Sequence, residues 1–304
     1  MKKIILDKRD PHGVITSTEM PVLFGVEKYK SYYQLLAEKQ KGDEDEISGE
    51  RIEIGTALES TIAHLTASQI KMDVLPFKKF VRLESERIGS SFDYKIMQGD
   101  KDHALLECKN VDYFVFSDEW SIDQKFGLIA PPHIEIQCQN EMLVYGIDKL
   151  YLAALVGGNQ LHIARRKRSE RFSQEIKQRV NKFWEDIKQP LSDFPVTQKN
   201  AAFIISSSIQ ENTPTEEVID IDGQFKDLAF QYKKLSEEKS KIDSQLKVIK
   251  ASILKSASSY KKIKGDTYTI SMGQTAEKEI PAYIRKAYRN FRVDLKKGVS
   301  NKKQ

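Results

Sequence analysis

Ser90-Ser91-Phe92-Asp93-Tyr94-Lys95-Ile96, the turn-like Gln98-Gly99-Asp100-Lys101, and Leu105-Leu106-Glu107-Cys108-Lys109-Asn110-Val111 read together as a β-hairpin. Successive strand residues point to opposite faces, so Glu107 and Lys109 share one face while Leu106 and Cys108 take the other. On the first strand Ser91, Asp93 and Lys95 share a face, and Phe92, Tyr94 and Ile96 turn towards a core. A three-residue loop over 99–101 centres the hairpin on Asp100 and sets Asp93 opposite Glu107. Like charges directly opposite cost a few tenths to about 1 kcal/mol, so a positive group belongs between them. A divalent cation, with Lys109 beside it, is the simplest candidate.

The rest of the chain sets bounds on that reading. Its 304 residues, 39% hydrophobic and 31% charged, have the composition of an ordinary globular protein with room for one large domain and a smaller one. No run of eighteen apolar residues would span a membrane. The start, Met1-Lys2-Lys3-Ile4-Ile5-Leu6-Asp7, is too short in apolar residues for a secretory signal, so a cytoplasmic protein is expected. Two cysteines, Cys108 and Cys138, are too few for a four-cysteine zinc or iron–sulfur site and read as small buried hydrophobes. Net charge is only +5, but the positives cluster. Arg165-Arg166-Lys167-Arg168 is unbroken, and residues 285–304 hold eight Lys/Arg against Asp294 alone. Such clusters suit a polyanion.

Apolar periodicity predicts helices over 31–41 and 50–70, the second with Ile54, Leu58, Ile62 and Leu65 on one stripe. A strand over 77–83 precedes the hairpin, and a loop runs from it to Ala130. Pro131-Pro132 opens a helix that stops near Gly146. A second hairpin, 149–156 and 160–164, turns around Gly157-Gly158-Asn159, and an amphipathic helix carries Phe172, Ile176, Val180, Phe183 and Ile187. Ser206-Ser207-Ser208 to Thr213-Pro214-Thr215 reads as a linker. Beyond it a long amphipathic helix over 223–258, coiled-coil-like in spacing, leads to a short strand over 267–272 and the basic tail.

Asp93 with Glu107-Cys108-Lys109 is the arrangement of a metal-dependent nuclease. Hard oxygen ligands suit Mg2+ or Mn2+, which lowers the pKa of an attacking water, and a lysine two residues from a ligand can orient that water or steady developing charge. Glu59 projects from its helix between the small residues Gly55 and Ala63. His133, Gln137 and Glu141 share one helical face. No HxxxH or HExxH pair, phosphate-cradling glycine loop or serine elbow is present, which leaves zinc hydrolase, nucleotide hydrolase and serine hydrolase readings unsupported.

These pieces occur in an order that resembles a known family. Ile15-Thr16-Ser17-Thr18-Glu19, Gly55-Thr56-Ala57-Leu58-Glu59, Gly89-Ser90-Ser91-Phe92-Asp93, Leu106-Glu107-Cys108-Lys109 and Pro132-His133-Ile134-Glu135-Ile136-Gln137-Cys138-Gln139, with Met142 and Gly146, follow one another. Over residues 10–165 the chain resembles the YqaJ-type viral recombinases, the phage lambda exonuclease-like branch of the PD-(D/E)xK nucleases. The resemblance implies an α/β fold, a mixed central sheet flanked by helices in a restriction-endonuclease-like core. The breaks read along the chain set that nuclease domain at 1–200, with a linker at 201–218 and a helical, basic C-terminal extension at 219–304.

For the site, the resemblance implies metal binding by Asp93, Glu107 and the Cys108 carbonyl, with Glu59 serving a second metal or its waters. Glu107, Lys109 and Gln137 become the catalytic set, with Gln137 near the scissile phosphate. Thr18 or Ser17, with Arg9, would bind a 5′-phosphate, and Arg165, Arg166, Lys167 and Arg168 the DNA backbone. The expected activity is a Mg2+-dependent 5′→3′ exonuclease on double-stranded DNA ends, working as a homo-oligomer beside a single-strand annealing protein. A non-cleaving DNA-binding recombination scaffold and an endonuclease of the same fold are the alternatives.

Overall fold

A computed structural model describes residues 3–42, 49–125, 127–211, 223, 225–257 and 259–272. The chain divides into two compact units, residues 1–204 and 205–304. The first unit begins with β1 (Lys3–Leu6), β2 (Ile15–Thr16), α1 (Met20–Leu23), α2 (Tyr32–Lys41) and α3 (Glu50–Ile70). Strands β3 (Val74–Pro76), β4 (Phe80–Leu83), β5 (Ile88–Ser91), β6 (Tyr94–Gln98) and β7 (Lys101–Val111) follow. Next come α4 (Tyr113–Glu119), β8 (Ser121–Asp123), β9 (Gly127–Ile129), α5 (Pro132–Tyr145), β10 (Lys149–Val156), β11 (Gln160–Lys167) and α6 (Glu170–Asp186). Helix α7 (Gln198–Glu211) runs past the division; α8 (Lys226–Ala257), β12 (Lys262–Lys264) and β13 (Thr269–Ser271) lie in the second unit.

Five strands in the order β11-β10-β7-β6-β3 form the larger sheet. It is mixed, because β7 and β10 run parallel while the other pairs are antiparallel. A parallel pair needs a crossover, and here α5 lies in it. Strand alternation sorts the two faces. Leu150, Leu152, Ala154 and Val156 join a core with α5 and α6, while Tyr151, Ala153 and Leu155 pack with Ile62 and Ala63 of α3. Since Leu106 and Cys108 belong to the α3 side, Glu107 and Lys109 fall on the α5 side. The expected α/β class, a mixed central sheet between helices, is the fold observed.

The expected hairpin is real, with two corrections. Its loop has two residues, not three, because Gln98 pairs with Lys101; Gly99 takes φ 59°, the left-handed first position of a tight hairpin turn. A bulge at His103 then shifts the register by one, so Ile96 faces Ala104 and Tyr94 faces Leu106. The two departures cancel, and the extrapolated register still brings Asp93 to Glu107. The second correction concerns Ser90–Ile96, which is not one strand. β5 belongs to a smaller sheet, β1-β4-β5-β2, and the chain leaves it at Phe92-Asp93 to enter the larger one. Phe92 therefore packs in the α5-side core, and Tyr94 and Ile96 in the other.

Other expectations meet the structure unevenly. The helix expected over 31–41 is present as α2, capped by Ser31, whose side chain accepts from the Gln34 N–H. The stretch from the hairpin to Ala130, expected as loop, holds α4 and the β8–β9 hairpin. Within the expected linker, residues 201–211 are helical in α7, and 212–218 lie outside the described residues, as does the basic tail 285–304. The long helix is present as α8, with Leu228, Leu235, Ile242, Leu246 and Ile249 exposed along it. Among the described residues no helix is long and apolar enough to cross a membrane.

One glycine is fixed by packing rather than by backbone angle. A Cβ on Gly89 would lie 2.6 Å from Cζ of Phe80 and 3.0 Å from Cγ2 of Val14, and both of those side chains are buried. Gly89→Ala is expected to cost about 1–3 kcal/mol through overpacking. Urea unfolding reads this as a lowered midpoint; an unchanged midpoint would show that the Phe80 ring has room to yield.

Candidate active site

The break between the sheets is what places Asp93. Phe92 anchors it, its ring centroid 5.8 Å from that of Phe77 and 5.6 Å from that of Tyr145. Held outside the ladder, the Asp93 carboxylate accepts the Cys108 N–H at 3.0 Å. Glu107 is buried one residue before, on the α5 face. Its Oε1 accepts from Lys109 Nζ at 2.6 Å and from Gln137 Nε2 at 2.7 Å. The Gln137 amide does two further things: Nε2 also donates to Glu141 Oε1 at 2.8 Å, and Oε1 accepts from Lys109 Nζ at 3.1 Å.

Glu141 is the residue whose part in this cluster the sequence understates. It shares a helical face with Gln137, but the helix pattern alone cannot say that this face turns inward. It is 2% exposed, one turn along α5 from Gln137, and it fixes which end of the amide points to Lys109.

The charges do not balance. Burial pushes the Asp93 carboxyl well above its ordinary range, and the Glu107 carboxylate adds to the effect. Burial and Glu107 push Glu141 the same way. Lys109 moves upward too: burial opposes its charge, but Glu107, then Asp93 and Glu141, outweigh that. One ammonium thus sits among three acids. Glu59 is set slightly apart, 3.7 Å from Lys78, with its carboxyl raised mainly by burial.

All of these but Glu141 and Lys78 line one cavity of about 530 Å³, which Arg9, Ser17 and Thr18 line as well. The expected carboxylate–lysine set and the expected phosphate-binding residues are thus brought together. Their roles differ in detail. Ser17 is buried, donating to Ser90 Oγ and accepting from Asn140 Nδ2, both at 2.7 Å. Thr18 is exposed, and Glu19 ties the turn by accepting from the Thr16 N–H and hydroxyl.

Two further observations bear on the expected site. Among the described residues no group of three or more His, Cys, Asp or Glu side chains is gathered tightly enough to hold one ion, and Glu59, expected at a second metal or its waters, stands apart from Asp93 and Glu107. Two carboxylates with a backbone carbonyl still suit Mg2+, which keeps several waters and is commonly held by one or two acids. The basic run is also divided. Arg166 is spent on Glu135, with 2.7 and 2.6 Å contacts, and on the Leu128 carbonyl; Arg168 pairs with Asp148 at 2.9 Å. None of Arg165–Arg168 lines the acidic cavity.

Residues 8–148 match the model of the YqaJ-like viral recombinase domain. That stretch holds every residue of the acidic cluster, and over it the chain is similar to that family. Among solved structures the chain is similar to an alkaline exonuclease (LHK-Exo) from Laribacter hongkongensis, at 17% identity and TM-score 0.49, covering 64% of this chain and 96% of that one. It is also similar to a phage-related exonuclease from Haemophilus somnus 129PT, at 13% identity and TM-score 0.44, covering 60% and 96%. No curated protein matches the sequence.

The raised carboxyls set a pH dependence. A carboxyl whose folded pKa exceeds its unfolded value binds more protons when folded, so stability falls as pH rises above the ordinary carboxylate value of about 4 and the loss is complete above the folded pKa. In EDTA, urea unfolding should show stability declining with pH, and Asp93→Asn should flatten the decline and raise stability at neutral pH. A steeper decline in the variant would contradict the repulsion.

Proposed function

We propose that this chain is a divalent-metal-dependent DNA exonuclease acting on duplex ends, with 5′→3′ polarity, in phage-type recombination. The observation that supports it is the single cavity in which Asp93, Glu107, Lys109 and Gln137 meet Arg9, Ser17 and Thr18. Asp93, Glu107 and the Cys108 carbonyl are the groups to hold Mg2+ or Mn2+, and the surplus of acid over base around Lys109 favours such a cation. When bound, the ion supplies Lewis acidity to the scissile phosphate and lowers the pKa of a water.

The chain's own residues supply the rest. Lys109 stays protonated and steadies charge developing on the phosphate oxygens. Gln137, held by Glu141, keeps the ammonium in place and offers its amide to a water or phosphate oxygen. Arg9 and Thr18 stand at the cavity where a terminal phosphate would be received, and Ser17, locked by Asn140 and Ser90, shapes that wall. The exposed apolar stripe of α8 supports assembly as a homo-oligomer, and the recombinase family supports work beside a single-strand annealing protein.

The deciding experiment digests 5′-phosphorylated linear duplex, 5′-hydroxyl linear duplex and closed circles, with and without Mg2+. Loss of the phosphorylated linear substrate first, from its 5′ ends and only with the metal, is expected. Asp93→Ala and Lys109→Ala should each lower the rate at least 100-fold, on the order expected for loss of an electrostatic stabiliser, while remaining folded. Cutting of circles would favour the endonuclease, and no strand loss with any divalent ion the non-cleaving scaffold.

A separate test addresses Glu141. If it acts through Gln137, Glu141→Gln and Gln137→Ala will not add: the first change will slow cleavage in the wild-type background and have little further effect in the second. Additive losses would show that Glu141 serves the fold rather than the amide.

A further inference from the structure

On the α3 face of the larger sheet a second cavity, of about 590 Å³, is walled by cations. In the β10–β11 ladder Lys149 stands directly opposite Lys167, and Tyr151 opposite Arg165. Alternation puts these four side chains on one face, because Tyr151 packs in the α3-side core while Arg166 turns the other way to Glu135. Directly opposed like charges destabilise a sheet, and this pair has no acid to relieve it. Asp148, the acid at this cavity, is engaged by Arg168. Among the described residues no salt bridge is found for Lys149, Arg165 or Lys167, all of which are exposed. The missing partner is an anion.

We propose that this cavity binds the phosphodiester backbone of DNA, at a place apart from the cleavage cavity. The inference rests on the reading of the chain as a DNA enzyme. Arg165 and Lys167 lie two residues apart on one strand, roughly 6.7 Å, which lets them meet separate phosphates of one backbone rather than a single phosphate ion. Tyr151 is buried, and the Arg165 guanidinium lies 5.3 Å from its ring centroid, so no face is left for a base to stack on. The site therefore reads charge and not sequence, and it holds DNA while the other face does chemistry. Of the basic run, Arg165 and Lys167 carry the contact with Lys149, and Arg166 and Arg168 hold the fold.

The test measures equilibrium binding of a fluorescein-labelled duplex by the full chain in EDTA, across a salt series, for wild type and Lys149→Ala/Lys167→Ala. Removing two phosphate contacts should weaken Kd roughly 10- to 100-fold at about 50 mM salt and reduce the slope of log Kd against log salt by about 1.8. The melting temperature should hold or rise, because a repulsive pair has gone. Unchanged affinity and slope in a folded variant would overturn the proposal. So would a variant that loses stabilisation by inorganic phosphate but keeps the wild-type salt slope with DNA, since that marks a free-phosphate site. The measurement needs no cleavage. A chain that loses the slope as expected yet never cuts DNA would overturn the nuclease reading and leave this one standing.

Discussion

Repulsion between Asp93 and Glu107 is the constraint around which the first unit is arranged. Two carboxylates in a partly buried cavity, with Glu141 behind them, carry more negative charge than Lys109 alone can offset. Removing carboxylates from water costs several kcal/mol each unless opposite charge and hydrogen bonds replace the lost solvation. The structure supplies those in part: a backbone N–H to Asp93, an ammonium and an amide to Glu107, and the same amide to Glu141. A fold assembled for stability alone would place apolar groups here. Retaining the acids fits the proposed role of the cluster in holding a cation.

Satisfying this cluster depends on where the chain changes sheets. Had Ser90–Ile96 continued as one strand, Asp93 would have sat in a ladder with its side chain fixed beside Glu107 by register alone. Leaving the smaller sheet at Phe92, which is pinned between Phe77 and Tyr145, frees the carboxylate to reach the Cys108 N–H. Helix α5 then joins the two ends of the cavity. Gln137 reaches the acids, and Asn140, three residues along, holds Ser17 on the turn that carries Thr18. One helix therefore contacts both walls of the cavity.

Much of this was legible from period-two alternation and helix spacing. The faces of Glu107 and Cys108, the helix over 31–41 and the helix from Pro132 to Gly146 follow from local patterns that the tertiary fold leaves intact. The hairpin register came out right for a partly wrong reason: a shorter loop was offset by a bulge at His103, and no local signal in the sequence marks that bulge. Helix α4 and the β8–β9 hairpin were missed because Tyr113, Phe114 and Ile122 stay exposed, leaving no amphipathic contrast to detect. Residues 201–211 misled in the other direction. Three consecutive serines resemble a linker by composition, yet Phe203 and its ring contact with Tyr33 sit on a helix. Family order, not periodicity, linked Glu59 and Gln137 to the hairpin.

The basic run shows the limit of reading charge along a line. Four consecutive cations look like one patch, but a strand sends neighbours to opposite faces, so the run is two pairs with different work. Arg166 meets Glu135 from α5 and joins β11 to the helix that carries Gln137, so a charge that seemed free for DNA ties strand to helix on the face of Glu107. Arg165 and Lys167 face the other way, beside Lys149, with repulsion left unrelieved. The acid-rich cluster around Lys109 and the opposed Lys149–Lys167 pair therefore lie on opposite faces of one sheet. On the proposed reading each is relieved by a different part of one ligand system: a metal cation for the acids, a phosphate backbone for the bases.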